Sequence, residues 1–414
     1  MEDYIRRTHC RYCESGKLVS ILDLGKHPPS DSFIYSDETQ TEKKYPLELF
    51  LCENCFLLQL MDVISPTLLF GEEFLYQSST STALRNHYTH LTEMLTRRFE
   101  ISSGDTVVDI GCNDGIILNT FKTEGLNTVG VEPSELANIA RKQGHNIFRD
   151  FFNLDCAKSI ISSFGHAKVI TATNVFPHVD QIRGFVEGIL ELIGTKGIFV
   201  IEASYMPDFI DKILFDTIYH EHLCYLGLTP LKQFLESMGL EVFDIERTSL
   251  GASGPAFRIL IQKYDGQQPV SSSVERFLFF EKQWGISNIR NYFDFADKVK
   301  ITKTNILNLL NGFKSSNVEI GGYGAPAKGN TLLNYLEVDQ SLVSYIADNN
   351  PLKQGKITPG SHIPVISDEE FLQKKPTHAL LLAWNYLDYF LKNSEYIQQG
   401  GKFIVPLPSI QILP

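Results

Sequence analysis

The alternation of apolar runs with amphipathic stretches along the chain predicts strands that alternate with helices. Runs at 106–109, 127–132 and 168–173 are short, apolar and rich in β-branched residues, as strands buried on both faces are. Helices are predicted at 83–99, 116–122 and 230–238, and the serines and threonines that precede the first can cap it. This order of elements is typical of an α/β fold.

The same pattern continues to the end of the chain. Further elements are predicted as strands at 146–149 and 197–202, a hairpin of 241–248 with 256–263, a helical region at 274–313, and a second α/β series with strands at 318–323, 342–347, 363–365, 377–384 and 403–406 and a helix at 330–336. We therefore predict three parts, residues 1–68, 69–266 and 267–414.

Composition narrows the class of protein. A length of 414 residues predicts two to four domains, and 43% hydrophobic residues allow sizeable cores. The net charge of −12 argues against a nucleic-acid partner, which would need a basic face. No apolar run reaches the roughly 18 residues of a membrane span, and residues 1–10 lack an apolar signal core. We expect a cytoplasmic protein without a membrane partner; a monomer is compatible with the pattern.

Two C-x-x-C pairs lie near the N-terminus, Cys10 with Cys13 and Cys52 with Cys55, separated by 52 − 13 − 1 = 38 residues. Four thiolates at these spacings can close a tetrahedral Zn²⁺ site with no open position, which predicts a structural zinc ion. Reduced, unligated thiols or a redox pair are the alternatives. Seven cysteines, an odd number, argue against a disulfide framework.

The turn after the first strand of the central part has the pattern Asp-x-Gly-x-Asn-x-Gly. It differs from the dinucleotide fingerprint G-x-G-x-x-G, and two nearby acids would repel a pyrophosphate but not a cationic ligand. Glycines let the backbone approach a ligand closely, and Glu132 at the tip of the next strand can accept both hydroxyls of a ribose. The pattern is typical of an S-adenosylmethionine site, with any nucleoside-binding α/β domain as the alternative. The residues expected at the cofactor here are Asp109, Gly111, Asn113, Gly115 and Glu132.

The ends of the next two strands offer further contacts. Asp150 can accept from the exocyclic amine of adenine, while Phe151 packs on the ring. Asn174 and His178 follow the fourth strand, at the sheet edge where ligands of open α/β sheets bind. A loop with core residues, and a structural histidine, are the alternatives.

The segment 218–225, IYHEHLCY, brings four proton-handling side chains together. In an extended segment His220 and His222 share one face, and Tyr219 and Glu221 the other. Burying such a cluster stabilises little, because every group must be hydrogen-bonded. We interpret it as an acid–base site; a capped surface turn and a metal site are the alternatives.

In the last part, Lys328 stands at a glycine-flanked helix start and is a candidate phosphate contact. The surrounding segment 322–328 is only a weak nucleotide-binding pattern, and nicotinamide chemistry there is a minor alternative.

Six motifs cover essentially the whole chain: the four cysteines, DIGCNDG, YHEH, GGYGAPAKG, DNNPLKQGKITPG and a final VPLP. In this combination the chain resembles the bacterial nucleotide-sugar C-methyltransferases of deoxysugar and branched-sugar pathways. The resemblance implies a zinc-binding module over 1–68 and a class I, Rossmann-like methyltransferase domain over 69–266. It also implies a Rossmann-like α/β domain over 267–414 that helps to hold a TDP-linked 4-keto sugar.

Residue by residue, the resemblance makes His222 the expected base and places Tyr219, Glu221, His178 and Tyr76 near the sugar. The substrate contacts expected from it are His220, Arg258, Tyr323, Lys328, Asn330, Asp348 and Lys353. The chain departs from the family in the loop before Arg258, which reads ASGPAFR where many members resemble HGGSLR.

The expected reaction is methylation of C3 or C5 of a 4-keto deoxysugar, since the ketone acidifies the neighbouring carbons. TDP is the leading nucleotide, with GDP and CDP as alternatives. Sugar O-methylation and a catalytically silent nucleotide-sugar-binding protein are the competing hypotheses.

Overall fold

A computed structural model describes residues 3–71, 77–248 and 256–414. The N-terminal module consists of β1 (Tyr4–Arg6), β2 (Leu18–His27), β3 (Tyr45–Cys52), β4 (Leu58–Leu60), β5 (Asp62–Ile64) and α1 (Pro66–Leu69). Strands β2, β3 and β4 form an antiparallel sheet, and β1 pairs with β5. The alternating burial along β3 buries one face of this small sheet.

The central region follows in chain order. Its elements are α2 (Thr82–Arg98), β6 (Thr106–Ile110), β7 (Asn127–Val131), α3 (Ala137–Lys142), β8 (Asn146–Phe148), α4 (Leu154–Phe164), β9 (Ala167–Thr173), α5 (Ile182–Leu192), β10 (Ile193–Ser204), α6 (Met206–Asp211), β11 (Cys224–Tyr225), α7 (Leu228–Ser237), β12 (Leu240–Thr248) and β13 (Ala256–Lys263). Every residue of β6 is buried, as its apolar run predicts. Ser81 caps α2 by accepting from the Leu84 N–H at 3.3 Å, which confirms the predicted cap.

The central sheet has seven strands in the order β12-β13-β10-β9-β6-β7-β8. Strands β6 to β10 are parallel, and the predicted hairpin of β12 and β13 closes one edge antiparallel. Because the chain order reverses between β6 and β9, a crevice opens at their carboxyl ends.

The C-terminal region begins with a helical pair. Its elements are α8 (Ser272–Trp284), α9 (Ile289–Ser315), β14 (Ile320–Tyr323), α10 (Ala327–Leu336), β15 (Ile346–Ala347), β16 (Val365–Ile366), α11 (Asp368–Lys374), β17 (His378–Leu381), α12 (Leu387–Asn393), α13 (Glu395–Gln398), β18 (Lys402–Val405) and β19 (Gln411–Leu413). The sheet order is β16-β15-β14-β17-β18-β19, with its own reversal between β14 and β17.

Two sequence predictions differ from the structure. After β6 the chain forms only a short 3-10 helix, Leu118–Thr120, instead of the expected helix over 116–122. The expected helix over 274–313 is divided into α8 and α9, because Gly285 adopts a left-handed φ of +84° and ends α8.

The N-terminal module is joined to the central region by a shared sheet. Strand β11 pairs antiparallel with β4, which gives the order β11-β4-β3-β2. The residues just before β11 are 218–223, so the YHEH segment leads directly into the sheet of the cysteine module. Within the described ranges, no helix is long and apolar enough to cross a membrane.

Candidate active site

One cavity of about 1750 Å³ lies at the carboxyl ends of both parallel sheets. The ends of β6 and β9 line it from the central region, and the ends of β14 and β17 line it from the C-terminal region. These are the two points where strand order reverses, which is where α/β sheets bind ligands. The N-terminal module contributes Asp31 and Ser65, and Phe70 lines the cavity just after the module. The cavity therefore belongs to all three regions.

The glycine turn after β6 is held by backbone and side-chain contacts. Gly111 has a φ of +68°, and a Cβ at this position would lie 2.4 Å from Cγ2 of Val175. The Asn113 N–H donates to Oε2 of Glu132 at 2.9 Å. The second carboxylate oxygen of Glu132 accepts from the hydroxyl of Ser134 at 2.6 Å. Only a glycine permits this backbone course at residue 111.

Three acids lie around this turn. Asp109 accepts from the Thr171 hydroxyl at 2.6 Å, and burial raises its pKa to about 7 against that hydrogen bond. Asp114 accepts from the Ser79 N–H at 3.3 Å, and Glu132 is 6% exposed. Asp109 and Glu132 line the cavity, whereas Asp114 is fully buried and is not part of its wall. Acidic groups at a cavity wall fit a cationic ligand, so the turn fits S-adenosylmethionine better than it fits a pyrophosphate.

The predicted adenine contacts also reach the cavity. Asp150 and Phe151 are exposed and line it, and the Phe151 N–H donates to Oδ1 of Asp150 at 2.7 Å. Asn174 lines the cavity with a left-handed φ of +55°, and its N–H donates to the Glu202 carbonyl at 2.7 Å. Gly115 shapes the turn with a φ of +86°, and it is absent from the cavity wall formed by the described residues.

The YHEH segment is a turn, so the shared face that His220 and His222 would have in an extended segment is not formed. The His222 N–H donates to the Tyr219 carbonyl at 2.8 Å, which closes the chain over residues 219–222. As a result, the rings of Tyr219 and His222 lie in contact, with centroids 3.9 Å apart and planes tilted by 34°, and both residues line the cavity together with Glu221. His220 points the other way, with Nε2 3.2 Å from the Pro46 carbonyl of the N-terminal module.

His222 is held in one tautomer. Its Nδ1 lies 2.8 Å from the Thr217 carbonyl, and because a carbonyl only accepts, Nδ1 carries the proton. The other nitrogen, Nε2, is therefore unprotonated. Burial lowers the pKa of His222 to about 4, so the imidazole is neutral at physiological pH.

A second histidine extends the ring stack. His178 lies 5.1 Å from the His222 ring and 5.7 Å from the Phe70 ring, centroid to centroid. Burial holds the pKa of His178 well below its ordinary value, and His222 lowers it further. Because burial disfavours the charged form of both rings, the two neighbouring imidazoles are neutral.

Glu221 is enclosed between the central region and the N-terminal module. It is 6% exposed, and the Ser30 hydroxyl donates to its Oε2 at 3.5 Å. Burial raises the pKa of Glu221 to about 8, and the neighbouring Asp31 adds to the shift. At neutral pH the side chain is a carboxylic acid that can donate a hydrogen bond into the cavity.

The C-terminal wall carries Tyr323, Lys328, Asp348 and Lys353. Lys328 is 7% exposed, and burial lowers its pKa to about 8. Lys353 donates to the Ala325 carbonyl at 2.8 Å, and its Nζ lies 3.8 Å from Oδ1 of Asp31. Asp348 accepts from the Ala325 N–H at 2.7 Å and so fixes the same loop.

Besides His220, which contacts Pro46 and does not line the cavity, two predicted substrate contacts are engaged elsewhere. Asn330 is fully buried and donates to the Ser30 carbonyl at 2.7 Å, which ties the C-terminal region to the N-terminal module. Arg258 pairs with Glu202 at 2.8 Å and with Glu246 at 2.5 Å. Neither residue lines the cavity among the described parts of the chain. Tyr76 lies outside the described residues.

The four cysteines of the N-terminal module come together as predicted. Their sulfur atoms all lie within 4.8 Å of one another, with Cys10 to Cys55 and Cys13 to Cys52 each 3.5 Å apart. A single tetrahedral ion with Zn–S bonds of about 2.3 Å can bridge such a cluster.

The sequence analysis missed a buried arginine that connects this cluster to the cavity. Arg11 is 1% exposed, and its Nε donates to Oδ1 of Asp180 at 3.1 Å. Arg7 donates to the same carboxylate at 3.1 Å. Asp180 lines the cavity two residues after His178. The only signal in the sequence was the position of Arg11 between two expected metal ligands.

Three family models match the chain. The model described as "Putative zinc binding domain" matches residues 10–70, "Methyltransferase domain" matches 84–245, and "C-methyltransferase C-terminal domain" matches 252–408.

Individual proteins match over different lengths. The C-methyltransferase NovU of Streptomyces niveus is 31% identical over 417 residues, covering 100% of this chain and 99% of that protein. An uncharacterized methyltransferase of Schizosaccharomyces pombe is 28% identical over 118 residues, which are 28% of this chain and 45% of that protein. The magnesium protoporphyrin IX methyltransferase of Synechocystis PCC 6803, solved with bound SAM, is 10% identical, covers 44% of this chain and 80% of its own, and has a TM-score of 0.32.

Proposed function

The chain belongs to the C-methyltransferase family, and from this premise we propose that it methylates C3 or C5 of a nucleotide-linked 4-keto deoxysugar. The family resemblance, the α/β fold class and the two expected cofactors, S-adenosylmethionine and zinc, are confirmed by the matches and by the cysteine cluster. The sugar, the carbon and the base are our proposal.

S-adenosylmethionine would be held by the turn around Gly111, by Glu132 at the ribose and by Asp150 with Phe151 at the adenine. When bound, it supplies an electrophilic methyl group to a carbon nucleophile. The grouped acids and the glycine backbone at this wall support the assignment. Asp109 stays buried against Thr171 and supports the turn from below.

His222 is the proposed base. His222 lines the cavity and its Nε2 is unprotonated, which suits removal of a proton from a carbon next to a ketone. A base in hydrogen-bond reach contributes about 10²–10⁴-fold to the rate. The lowered pKa keeps the imidazole neutral before reaction, and the negative charge that forms on the sugar oxygen then stabilises the imidazolium beside it.

The enolate oxygen needs donors, since it develops negative charge. Glu221 in its acid form and the Tyr219 hydroxyl both line the cavity beside His222 and can fill this role. His178 is a further candidate because it stacks on His222. The diphosphate and the nucleoside would lie along the C-terminal wall near Lys328, whose ammonium suits an anion.

The observation that carries this proposal is the turn 219–222, which presents a neutral imidazole and a carboxylic acid to the cavity that the glycine turn also lines. The test is turnover of TDP-, GDP- and CDP-linked 4-keto sugars with S-adenosylmethionine, followed by NMR of the product. We expect a new C–CH₃ group at C3 or C5 with the TDP sugar preferred. Solvent deuterium should enter the same carbon when an inert cofactor analogue replaces the methyl donor.

Two outcomes would contradict the proposal. A methyl ether in the product, without deuterium at carbon, would indicate sugar O-methylation. Failure to form S-adenosylhomocysteine with any keto sugar would favour a nucleotide-sugar-binding protein.

We also propose the boundaries 1–68, 69–266 and 267–414 for the three domains. The pairing of β13 with β10 supports placing β13 in the central domain, although the C-terminal family model begins at residue 252. Limited proteolysis with cleavage near residue 266 would support this division, and a stable fragment starting near 252 would contradict it.

A further inference from the structure

A buried hydrogen bond joins the C-terminal region to the segment just before the YHEH turn. The indole N–H of Trp384 donates to Oδ2 of Asp216 at 2.6 Å. Asp216 is fully buried and belongs to a 3-10 turn, Phe215–Thr217. Trp384 follows β17, at the strand-order reversal of the C-terminal sheet. The two residues are 168 positions apart, so only the assembled fold makes this contact.

The turn that Trp384 holds is the one that orients the imidazole of His222. The Thr217 carbonyl accepts the Nδ1–H of His222 at 2.8 Å. A displacement of the turn would move this carbonyl away from Nδ1, and His222 would no longer be held in the Nδ1-protonated tautomer. We propose that Trp384 is a positioning residue, because its indole N–H holds the buried turn whose Thr217 carbonyl orients His222.

The carboxylate of Asp216 has few hydrogen-bond partners besides the indole of Trp384. Its Oδ1 has no hydrogen-bond partner among the described residues. Burial raises the pKa of Asp216 to about 6, while the charge of Lys328 and the indole N–H oppose the shift. Besides the backbone N–H groups of Asp216 and Thr217, the indole is the one side-chain hydrogen-bond donor that the described part of the chain offers to this carboxylate. Losing it would remove the only hydrogen bond among these residues that holds the carboxylate from outside its own turn.

The same tryptophan also contacts the nucleotide side of the proposed site. Nζ of Lys328 lies 4.1 Å from the centre of the Trp384 ring and also donates to Asn385. Lys328 and Asn385 line the cavity. Trp384 thus connects the cavity wall at Lys328, which we expect to hold the nucleotide, with His222, which we expect to remove the proton. This inference rests on the proposed role of His222.

The test is Trp384→Phe, which keeps an aromatic ring below Lys328 and removes the donor. The chain has two tryptophans, and Trp284→Phe is the matched control, since its N–H donates to Asp211 at 3.0 Å away from the cavity wall. We expect kcat to fall about 10–100-fold in Trp384→Phe, with zinc content, S-adenosylmethionine affinity and the KM of the sugar within about twofold of wild type. Trp284→Phe should keep the wild-type kcat.

Variants of Asp216 separate positioning from loss of structure. Asp216→Ala should lose as much kcat as Trp384→Phe, and the double variant should lose no more, because both break one interaction. Asp216→Asn keeps an acceptor for the indole and should recover most of that loss. Additive losses, or a kcat of Trp384→Phe equal to that of Trp284→Phe, would overturn the inference.

A readout without turnover is the tautomer of His222 in ¹⁵N-histidine-labelled protein. The ¹⁵N signals of His222 are identified as those that are present in the spectrum of the wild type and missing from the spectrum of His222→Ala. We expect an Nδ1-protonated ring in wild type and a tautomer mixture in Trp384→Phe; an unchanged signal would contradict the inference. If His222→Ala retains turnover, the proposed base is wrong; if it is inactive while Trp384→Phe is normal, only this inference is wrong.

Discussion

The two sides of the cavity are assembled from contacts of very different range. On the proposed cofactor side, which is the wall around the glycine turn, the hydrogen bonds from Asn113 and Ser134 to Glu132, and from Thr171 to Asp109, join residues 2 to 62 positions apart. At the YHEH turn, the contacts Ser30–Glu221, His220–Pro46 and Trp384–Asp216 join residues 168 to 191 positions apart. One side is a property of a single sheet, whereas the other requires three regions to dock. Changes on either side should therefore have separable effects.

Removal of zinc should have the largest effect. A structural zinc site contributes about 10–16 kcal/mol to folding in small zinc modules. Without it, β4 can no longer hold β11, and the contacts of His220 and Glu221 are lost. We expect Cys52→Ser to abolish zinc binding and turnover but to retain S-adenosylmethionine binding by calorimetry.

Cys156→Ser is the control for this change, because Cys156 is buried in α4 outside the cluster. It should keep both zinc and turnover. Full activity in metal-free Cys52→Ser would show that the turn does not depend on the N-terminal module.

His222→Ala should lower kcat by about 10²–10⁴-fold, since it removes the proposed base. The affinity for S-adenosylmethionine, measured by calorimetry, should not change, because the cofactor side is built without this residue. His90→Ala is the control, as His90 is exposed on α2. Unchanged turnover in His222→Ala would remove the residue from the mechanism.

Gly111→Ala should affect the opposite side. The new Cβ would meet Val175 at 2.4 Å in a left-handed backbone conformation, a strain of about 1–3 kcal/mol. We expect S-adenosylmethionine to bind roughly 10–100-fold more weakly. Gly104→Ala is the matched control, with a φ of +88° and open space around its Cβ. Equal losses of affinity in both variants would indicate general destabilisation instead.

The pH dependence of kcat should show the smallest effect. Since the pKa of Glu221 is raised to about 8, its acid form is present below that pH and is lost above it, so kcat should fall above about pH 8. The base limb of His222, with a pKa of about 4, should lie below the usual assay range. Glu221→Gln keeps a donor and should stay active and level through pH 8. A falling limb that persists in Glu221→Gln would assign it to another group.

Much of the cofactor side could be predicted from the sequence. The strands around Val107, Val129 and Val169 are continuous apolar runs, and residues that line the cavity follow each strand directly. Strand ends in a parallel sheet meet at one edge, so a local pattern was enough to bring Asn113, Glu132 and Asn174 to one wall. The four cysteines were predictable for a similar reason, because thiolates at these spacings have few other uses.

The turn was harder to predict. The YHEH pattern indicated acid–base chemistry, but the alternation expected for an extended segment put His220 and His222 on one face. The structure turns His220 toward Pro46, because docking of the N-terminal sheet draws the following residues into β11. No local signal pointed to Asp31, Asp180 or Trp384, since each acts through a partner far away in the chain.

By itself the sequence determined the α/β class, the cysteine cluster, the glycine turn and the family, because each depends on residue type and near spacing. Only the tertiary structure decided which side chains of the YHEH turn face the cavity, which tautomer His222 adopts and why Glu221 is an acid at neutral pH. Those properties depend on burial and on hydrogen bonds between regions. Both arise only when three parts of the chain exclude water from one another.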